Sequence, residues 1–199
     1  MDNKFVITIG REYGSGGRVI GQAVAERLGI KFYDDEIIEL ISKESGLSIE
    51  AVSKLDGTKT SSFLYNAFMS TQAIPLNDEI FLAQSRVIKE LAEKESCVIV
   101  SRCADYVLRD YKNLFNIFIY APMEARIERT KSLYHDIANN YESYVKKMDK
   151  KRADYYNYFT PKKWGERCNY HMMIDSSVGI ENTVNMLAAM VCALFGGES

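Results

Sequence analysis

Apolar residues along this chain fall into two alternating textures: short dense runs of strand length, and longer stretches where they recur every three or four positions. Residues 4–9 (Lys-Phe-Val-Ile-Thr-Ile) form the first dense run and predict a strand. Ile20, Ala23, Val24 and Leu28 then repeat at helical spacing up to a stop at Gly29. Residues 30–33 predict a short second strand, after which Asp34-Asp35 can cap a helix carrying Ile37, Ile38, Leu40 and Ile41 and ending at Ser45-Gly46. Between residues 47 and 77 the pattern weakens, broken by Ser, Thr, Gly57 and Pro75, which predicts a helical excursion rather than another central strand.

The alternation then resumes. Ile80, Gln84, Val87 and Leu91, broadened by Phe81 and Ile88, predict a long helix over 78–94, followed by a buried strand at 97–100. Residues 101–111 read as a polar turn and short helix, and 116–120 as a third core strand. Pro122 can open a helix near Met123, and helical spacing continues through 124–134 and 141–158 before Pro161 and Gly165 signal a turn. Residues 172–174 predict a last strand, and 180–195 a closing helix that buries Val184, Leu187, Ala188, Val191 and Cys192. Strands alternating with helices predict a mostly parallel sheet covered by helices, one α/β core with inserted segments. Functional loops then collect beyond the strand C-termini, after residues 9, 33, 100 and 120.

Length agrees with that picture, since 199 residues suffice for one substantial core. No apolar run approaches the roughly 20 residues of a membrane span, and the N-terminal residues do not read as a secretory signal, so a cytoplasmic protein is expected. Four dispersed Cys and two His give no ligand-spaced metal cluster. The net charge of −2 is uneven: residues 146–167 hold eight Lys and Arg against Asp149, Asp154 and Glu166, a local +5. Tyr141, Tyr144, Tyr155, Tyr156, Tyr158, Phe159 and Trp164 lie among or beside these charges. A segment closing over one nucleotide, a packed helix face and stacking on nucleic acid all fit that composition, but no nucleic-acid module surrounds it, so nucleic acid is not expected as the main partner.

The sharpest local signal follows the first strand. Gly10-Arg11-Glu12-Tyr13-Gly14-Ser15-Gly16-Gly17 places four glycines in eight residues directly before a helix, and backbone N–H groups there can cradle phosphate oxygens. It is not a standard P-loop: Gly17 falls where the lysine would be and Val19 close to the usual Ser/Thr, leaving Arg18 and Ser15 as candidate stand-ins. A dinucleotide site competes, because Gly14-x-Gly16 opens that fingerprint and Asp34 lies 18 residues beyond Gly16, although Val19 replaces its third glycine. An NAD(P)-dependent oxidoreductase is therefore one alternative, and a nucleotide-binding regulator or pseudokinase another.

Residues 8–18, Phe32-Tyr33-Asp34, 98–105, Arg126, Arg129 and Asp175-Ser176-Ser177 together resemble the cytidylate kinase-like branch of the nucleoside monophosphate kinases, over nearly the whole chain. The resemblance implies a three-layer P-loop kinase fold with an NMP-binding lobe at 36–90 and a lid at 130–167. It implies phosphoryl transfer from ATP or another NTP to CMP or a related nucleotide, with Mg²⁺. Arg102, Arg126, Arg129 and Arg152 become the expected catalytic phosphate contacts, since guanidinium forks match phosphate oxygens. Gly10, Arg11, Gly14, Ser15, Gly16, Gly17 and Arg18 become the expected donor site, and Asp34, Arg102 and Asp105 the expected substrate contacts. Ser101 and Cys103 depart from the Gly-Arg-Asp loop of authentic cytidylate kinases. The metal ligands, the nucleobase and the oligomeric state stay open.

Overall fold

The computed structural model describes residues 4–34, 36–55, 76–100, 103–133 and 138–196. Five strands, β1 (Val6–Arg11), β2 (Lys31–Tyr33), β3 (Cys97–Val100), β4 (Leu114–Tyr120) and β5 (Met172–Asp175), form one sheet in the order β2-β3-β1-β4-β5. Every pairing is parallel, with Val6 opposite both Cys97 and Leu114. Parallel neighbours need crossovers, which helices supply: α1 (Gly17–Leu28), α2 (Glu36–Ser45), α3 (Ile49–Leu55), α4 (Leu76–Lys94), the one-turn α5 (Ala104–Val107), α6 (Met123–Ser132), α7 (Tyr141–Phe159) and α8 (Ile180–Phe195). This order differs from the 3-2-1-4-5-6 arrangement of the dinucleotide-binding fold. Here β3 separates β2 from β1, so Asp34 leaves the sheet one strand farther from the glycine loop than a ribose-binding carboxylate would.

The period-two alternation of the strands builds two apolar layers. Cys97 and Ile99 face α2 and α4, packing with Ile37, Ile41, Ala83, Val87 and Ile88, whereas Val98 and Val100 face α1 and α8 with Ile7, Ile9, Ile20, Val24, Val184 and Leu187. All four β3 side chains are fully buried, as expected of an inner strand covered on both faces. Burial pushes the Cys97 thiol up to about 12, so it packs as an inert apolar group. Val184, Leu187, Ala188 and Val191 of α8 point inward as the spacing predicts, but Cys192 is turned outward. Gly29 stops α1 in a left-handed conformation, φ 66°.

The basic helix α7 is built from two unlike faces. Lys146, Lys147, Lys150 and Lys151 are solvated, whereas Val145 and Tyr156 are buried on the opposite stripe and Asp149 and Arg152 are half-buried beside them. Tyr155 and Phe159 continue that packing: the Tyr155 hydroxyl donates to Gln84 Oε1 at 3.1 Å, and Phe159 stacks on Phe81 with ring centroids 4.3 Å apart. Packing therefore accounts for the aromatic residues at 155, 156 and 159. Among the described residues no helix is long and apolar enough to cross a membrane.

Candidate functional site

The glycine loop leaves the C-terminal end of β1 and turns into α1. Glu12 extends the sheet by one bond, its N–H donating to Ile119 O at 3.0 Å, before the chain folds back so that Ser15 Oγ donates to the Glu12 carbonyl at 2.8 Å. Gly14 must be glycine on two counts: its φ is 77°, and a Cβ there would lie 2.5 Å from the Arg126 carbonyl oxygen. Gly16 occupies the N-cap of α1 with no side-chain cap, and no acidic residue lies in the first turn. The positive end of a twelve-residue helix is thus presented at the turn.

Beneath this turn lies an ion cluster. Arg126, 5% exposed, donates through Nε to Tyr13 O at 2.7 Å, approaches Glu12 Oε2 at 3.2 Å and pairs with Asp149 Oδ2. Asp149 uses its other oxygen to accept the Tyr13 N–H at 2.7 Å, so one carboxylate of α7 holds both the loop and the arginine under it. Glu12 also accepts the Ala121 N–H at 3.3 Å. Burial raises its carboxyl above the usual range, opposed by Arg126 and reinforced by the negative charges of Asp149 and Asp175. Arg129 forms a second strut: it donates to Ser15 O at 3.3 Å, to Ser176 Oγ at 3.0 Å and to Ser176 O at 2.7 Å, while the Ser176 hydroxyl donates to Ser15 O at 2.6 Å.

Other expected residues take varied places. Arg152 donates to the Arg11 carbonyl at 3.3 Å and lies 5.0 Å from the centre of the Tyr13 ring. Arg18 pairs through Nε with the buried Asp34 at 2.8 Å, tying the start of α1 to the end of β2. Gly10, inside β1, faces Phe118 and Tyr170 rather than the turn. Asp105 is drawn under α7, where the Tyr156 hydroxyl donates to its Oδ2 at 2.6 Å. Burial raises this carboxyl, opposed by the Tyr156 hydrogen bond and Lys162. Burial and the Asp105 charge likewise push the Tyr156 phenol upward. Cys103, just before Asp105, holds a left-handed φ of 55°. Arg102 lies outside the described residues, as do residues 56–75 of the expected NMP-binding lobe and 134–137 of the expected lid.

The structure thus gathers Arg11, Gly14 through Arg18, Arg126, Arg129 and Arg152 around one turn, attaches Asp34 through Arg18, and sets Asp105 apart beneath α7. Sequence reasoning missed the roles of Asp149 and Glu12. One signal was available: Val145, Asp149, Arg152 and Tyr156 fall at i, i+4, i+7 and i+11, one stripe of a helix, which separates Asp149 from the solvated lysines around it. The turn itself is what could hold a nucleotide, whereas Arg126 and Arg129 direct their guanidinium groups to the turn's backbone, the carboxylates beneath it and Ser176. For a metal the fit is poor: Val19 offers no hydroxyl, and among the described residues no group of three or more His, Cys, Asp or Glu is placed to hold an ion.

Comparison with known proteins agrees with this architecture. An uncharacterized protein from Eubacterium ventriosum superposes with a TM-score of 0.73 at 26% identity, covering 94% of this chain and 98% of that one. A gluconokinase from Sinorhizobium meliloti gives 0.57 at 15% identity, with 98% and 96% covered. A shikimate kinase from Acinetobacter baumannii gives 0.54 at 16% identity, with 96% and 94% covered. The last two share the fold, a three-layer P-loop kinase arrangement. No curated protein matches the chain. A family model does match it, over residues 6–178, a span from the first strand through the Ser176 strut, and on that match the chain belongs to the cytidylate kinase-like family.

Proposed function

We propose that the chain is a nucleotide kinase that transfers the γ-phosphoryl group of ATP or another NTP to CMP or a related nucleoside monophosphate. The observation that carries this reading is the uncapped N-terminus of α1 presented beneath the Gly14–Gly17 turn, in a chain of the cytidylate kinase-like family. An oxygen of the acceptor phosphate forms the new bond to the γ-phosphorus. The bridging bond to the β-phosphate breaks, and its electron pair leaves with the nucleoside diphosphate. Such transfer depends on alignment and charge neutralisation more than on a covalent nucleophile.

The residues divide the work. The turn and α1 hold the donor phosphates, Arg126 and Arg129 act through the turn as positioning residues, and Arg152 approaches the donor from α7. Arg102, following β3 directly, contacts the transferred group and the acceptor phosphate, and Asp34 orients the acceptor. Asp105 anchors α7 through Tyr156. Residues 36–90 form the acceptor lobe and 130–167 the lid, whose closure excludes water. The donor enters as its magnesium complex.

The test is a panel of nucleoside monophosphates with Mg·ATP, following acceptor phosphorylation separately from ATP hydrolysis, with nucleotide binding measured in parallel. CMP is expected to give the highest kcat/KM, and R102A to lower it. Saturable nucleotide binding without transfer to any acceptor would overturn the kinase reading in favour of a nucleotide-binding regulator. Preference for shikimate or gluconate, acceptors suggested by the names of the two fold neighbours, would overturn the acceptor assignment.

A further inference from the structure

A standard P-loop places its lysine at the first residue of the helix, where the ammonium reaches the β- and γ-phosphates of the donor. In this chain that residue is Gly17, and the space beside it is filled. A Cβ built on Gly17 would lie 2.7 Å from Arg11 Cβ and 2.9 Å from Arg11 Cγ, closer than side-chain carbons pack. Arg11 is the last residue of β1, and its stem crosses Gly17 where a side chain would leave the start of α1. The missing lysine and the position of Arg11 are therefore one feature: glycine at 17 makes room for the arginine. Arg18, the charged stand-in suggested by the sequence, has its Nε 2.8 Å from Asp34, on the side of β2.

From this packing we infer that Arg11 replaces the P-loop lysine, its guanidinium contacting the β- and γ-phosphate oxygens of the nucleoside triphosphate. The substitution changes the chemistry of the grip. A lysine offers a compact, strongly hydrated ammonium, whereas a guanidinium offers a planar fork that can meet two phosphate oxygens at once and stays charged at every working pH. Arg152 steadies the site by donating to the Arg11 carbonyl. This inference deepens the donor site of the proposed kinase and rests on that reading. The Arg11–Gly17 packing itself can be tested without any nucleotide.

The experiment compares wild type, R11A, R11K, G17K and the double variant R11G/G17K by calorimetric titration with ATP and AMP, and by urea unfolding of each free protein. Loss of hydrogen bonds to a charged phosphate predicts that R11A weakens ATP by roughly 10- to 100-fold, with AMP affinity unchanged. R11K retains part of the ATP affinity, because it keeps the charge and loses the fork. G17K, with Arg11 in the way, unfolds at lower urea than wild type. R11G/G17K, which restores the standard arrangement, regains both stability and ATP binding. R11A that binds ATP like wild type, or that weakens ATP and AMP equally, would overturn the inference. So would a G17K variant as stable with Arg11 present as with R11G. If wild type binds no triphosphate, the donor-site reading and the Arg11 role fall together, whereas loss of the Arg11 effect alone leaves the kinase reading standing.

Discussion

Replacing Arg126 with methionine tests whether the glycine loop rests on its buried ion cluster. Methionine keeps much of the apolar stem but removes the hydrogen bond to Tyr13 O at 2.7 Å, the contact with Glu12 at 3.2 Å and the pair with Asp149. It leaves two carboxylates, 27% and 17% exposed, facing each other with that cation gone. Breaking a buried ion network by removing one member costs about 3–5 kcal/mol, and the water reaching both carboxylates places this case near the lower end, about 3 kcal/mol. For a chain of this length the corresponding fall in Tm is roughly 6–12 °C. Urea unfolding at neutral pH, followed by circular dichroism, gives the measurement. R86A is the control: Arg86 pairs with Glu44 at 2.8 Å, but the side chains are 54% and 36% exposed, so its loss costs at most about 1 kcal/mol.

The pH dependence supplies the second half of the test. Burial already raises the Glu12 carboxyl in the wild type, with Arg126 opposing the rise. Without Arg126 the force opposing that rise is gone, and the folded-state value of Glu12 moves higher still above its unfolded value. A carboxyl raised in this way is least destabilising below its unfolded pKa and costs stability as pH rises through the folded value. The deficit of R126M should therefore narrow on acidification toward pH ~4.5, near the unfolded carboxyl range. A deficit no larger than that of R86A, or one that widens in acid, would show that the cluster does not hold the loop.

Three further outcomes follow from named contacts. G14A combines a left-handed φ with a 2.5 Å clash against the Arg126 carbonyl and should cost more than 2 kcal/mol, roughly, whereas G46A, with φ 73° and nothing within 4 Å, should cost only about 1–2 kcal/mol in urea unfolding. D105N keeps an acceptor for the Tyr156 hydroxyl but removes a carboxyl whose folded pKa is raised by burial. Its stability relative to wild type should improve as pH rises from about 4 to 7.5, and equal values at both ends would count against an ionisable Asp105 in that site. R152A loses a contact with the Tyr13 ring worth about 1 kcal/mol or less, yet should lower transfer turnover about 100-fold if its guanidinium meets the donor phosphates as proposed. Unchanged turnover would remove Arg152 from the phosphate clamp.

Most elements could be read from the sequence because their signals are local. The closing helix spans Ile180–Phe195 as its spacing predicts, Gly29 ends α1, and the run at 97–100 is the buried inner strand. Strand order was not legible: nothing local to Phe32 or Ile99 states that a strand arriving about sixty residues later inserts between β2 and β1. The same limit governed the site. The glycine spacing revealed the turn, and the family resemblance supplied the arginines that gather around it. Which partner each arginine takes is fixed by tertiary approach. Asp149 sits in sequence among lysines that remain solvated, yet its carboxylate reaches Tyr13, 136 residues away. Asp105 has the pattern of a loop carboxylate, yet the fold buries it and sets the Tyr156 hydroxyl against it.

Asp149 has a thermodynamic consequence. Its carboxylate belongs to α7 by chain and to the glycine loop by contact, so the backbone N–H of Tyr13 and the guanidinium of Arg126 both register where that helix lies. Displacing α7 by one or two ångströms would stretch a 2.7 Å bond beyond useful length and release the turn. Helix position and loop shape then share a coupling free energy, and coupling is reciprocal. Any ligand that favours the present turn favours a docked α7 by the same factor, and any contact that draws α7 inward tightens that ligand equally. A single carboxylate thereby makes the docking of α7 and the shape of the glycine turn two readings of one equilibrium.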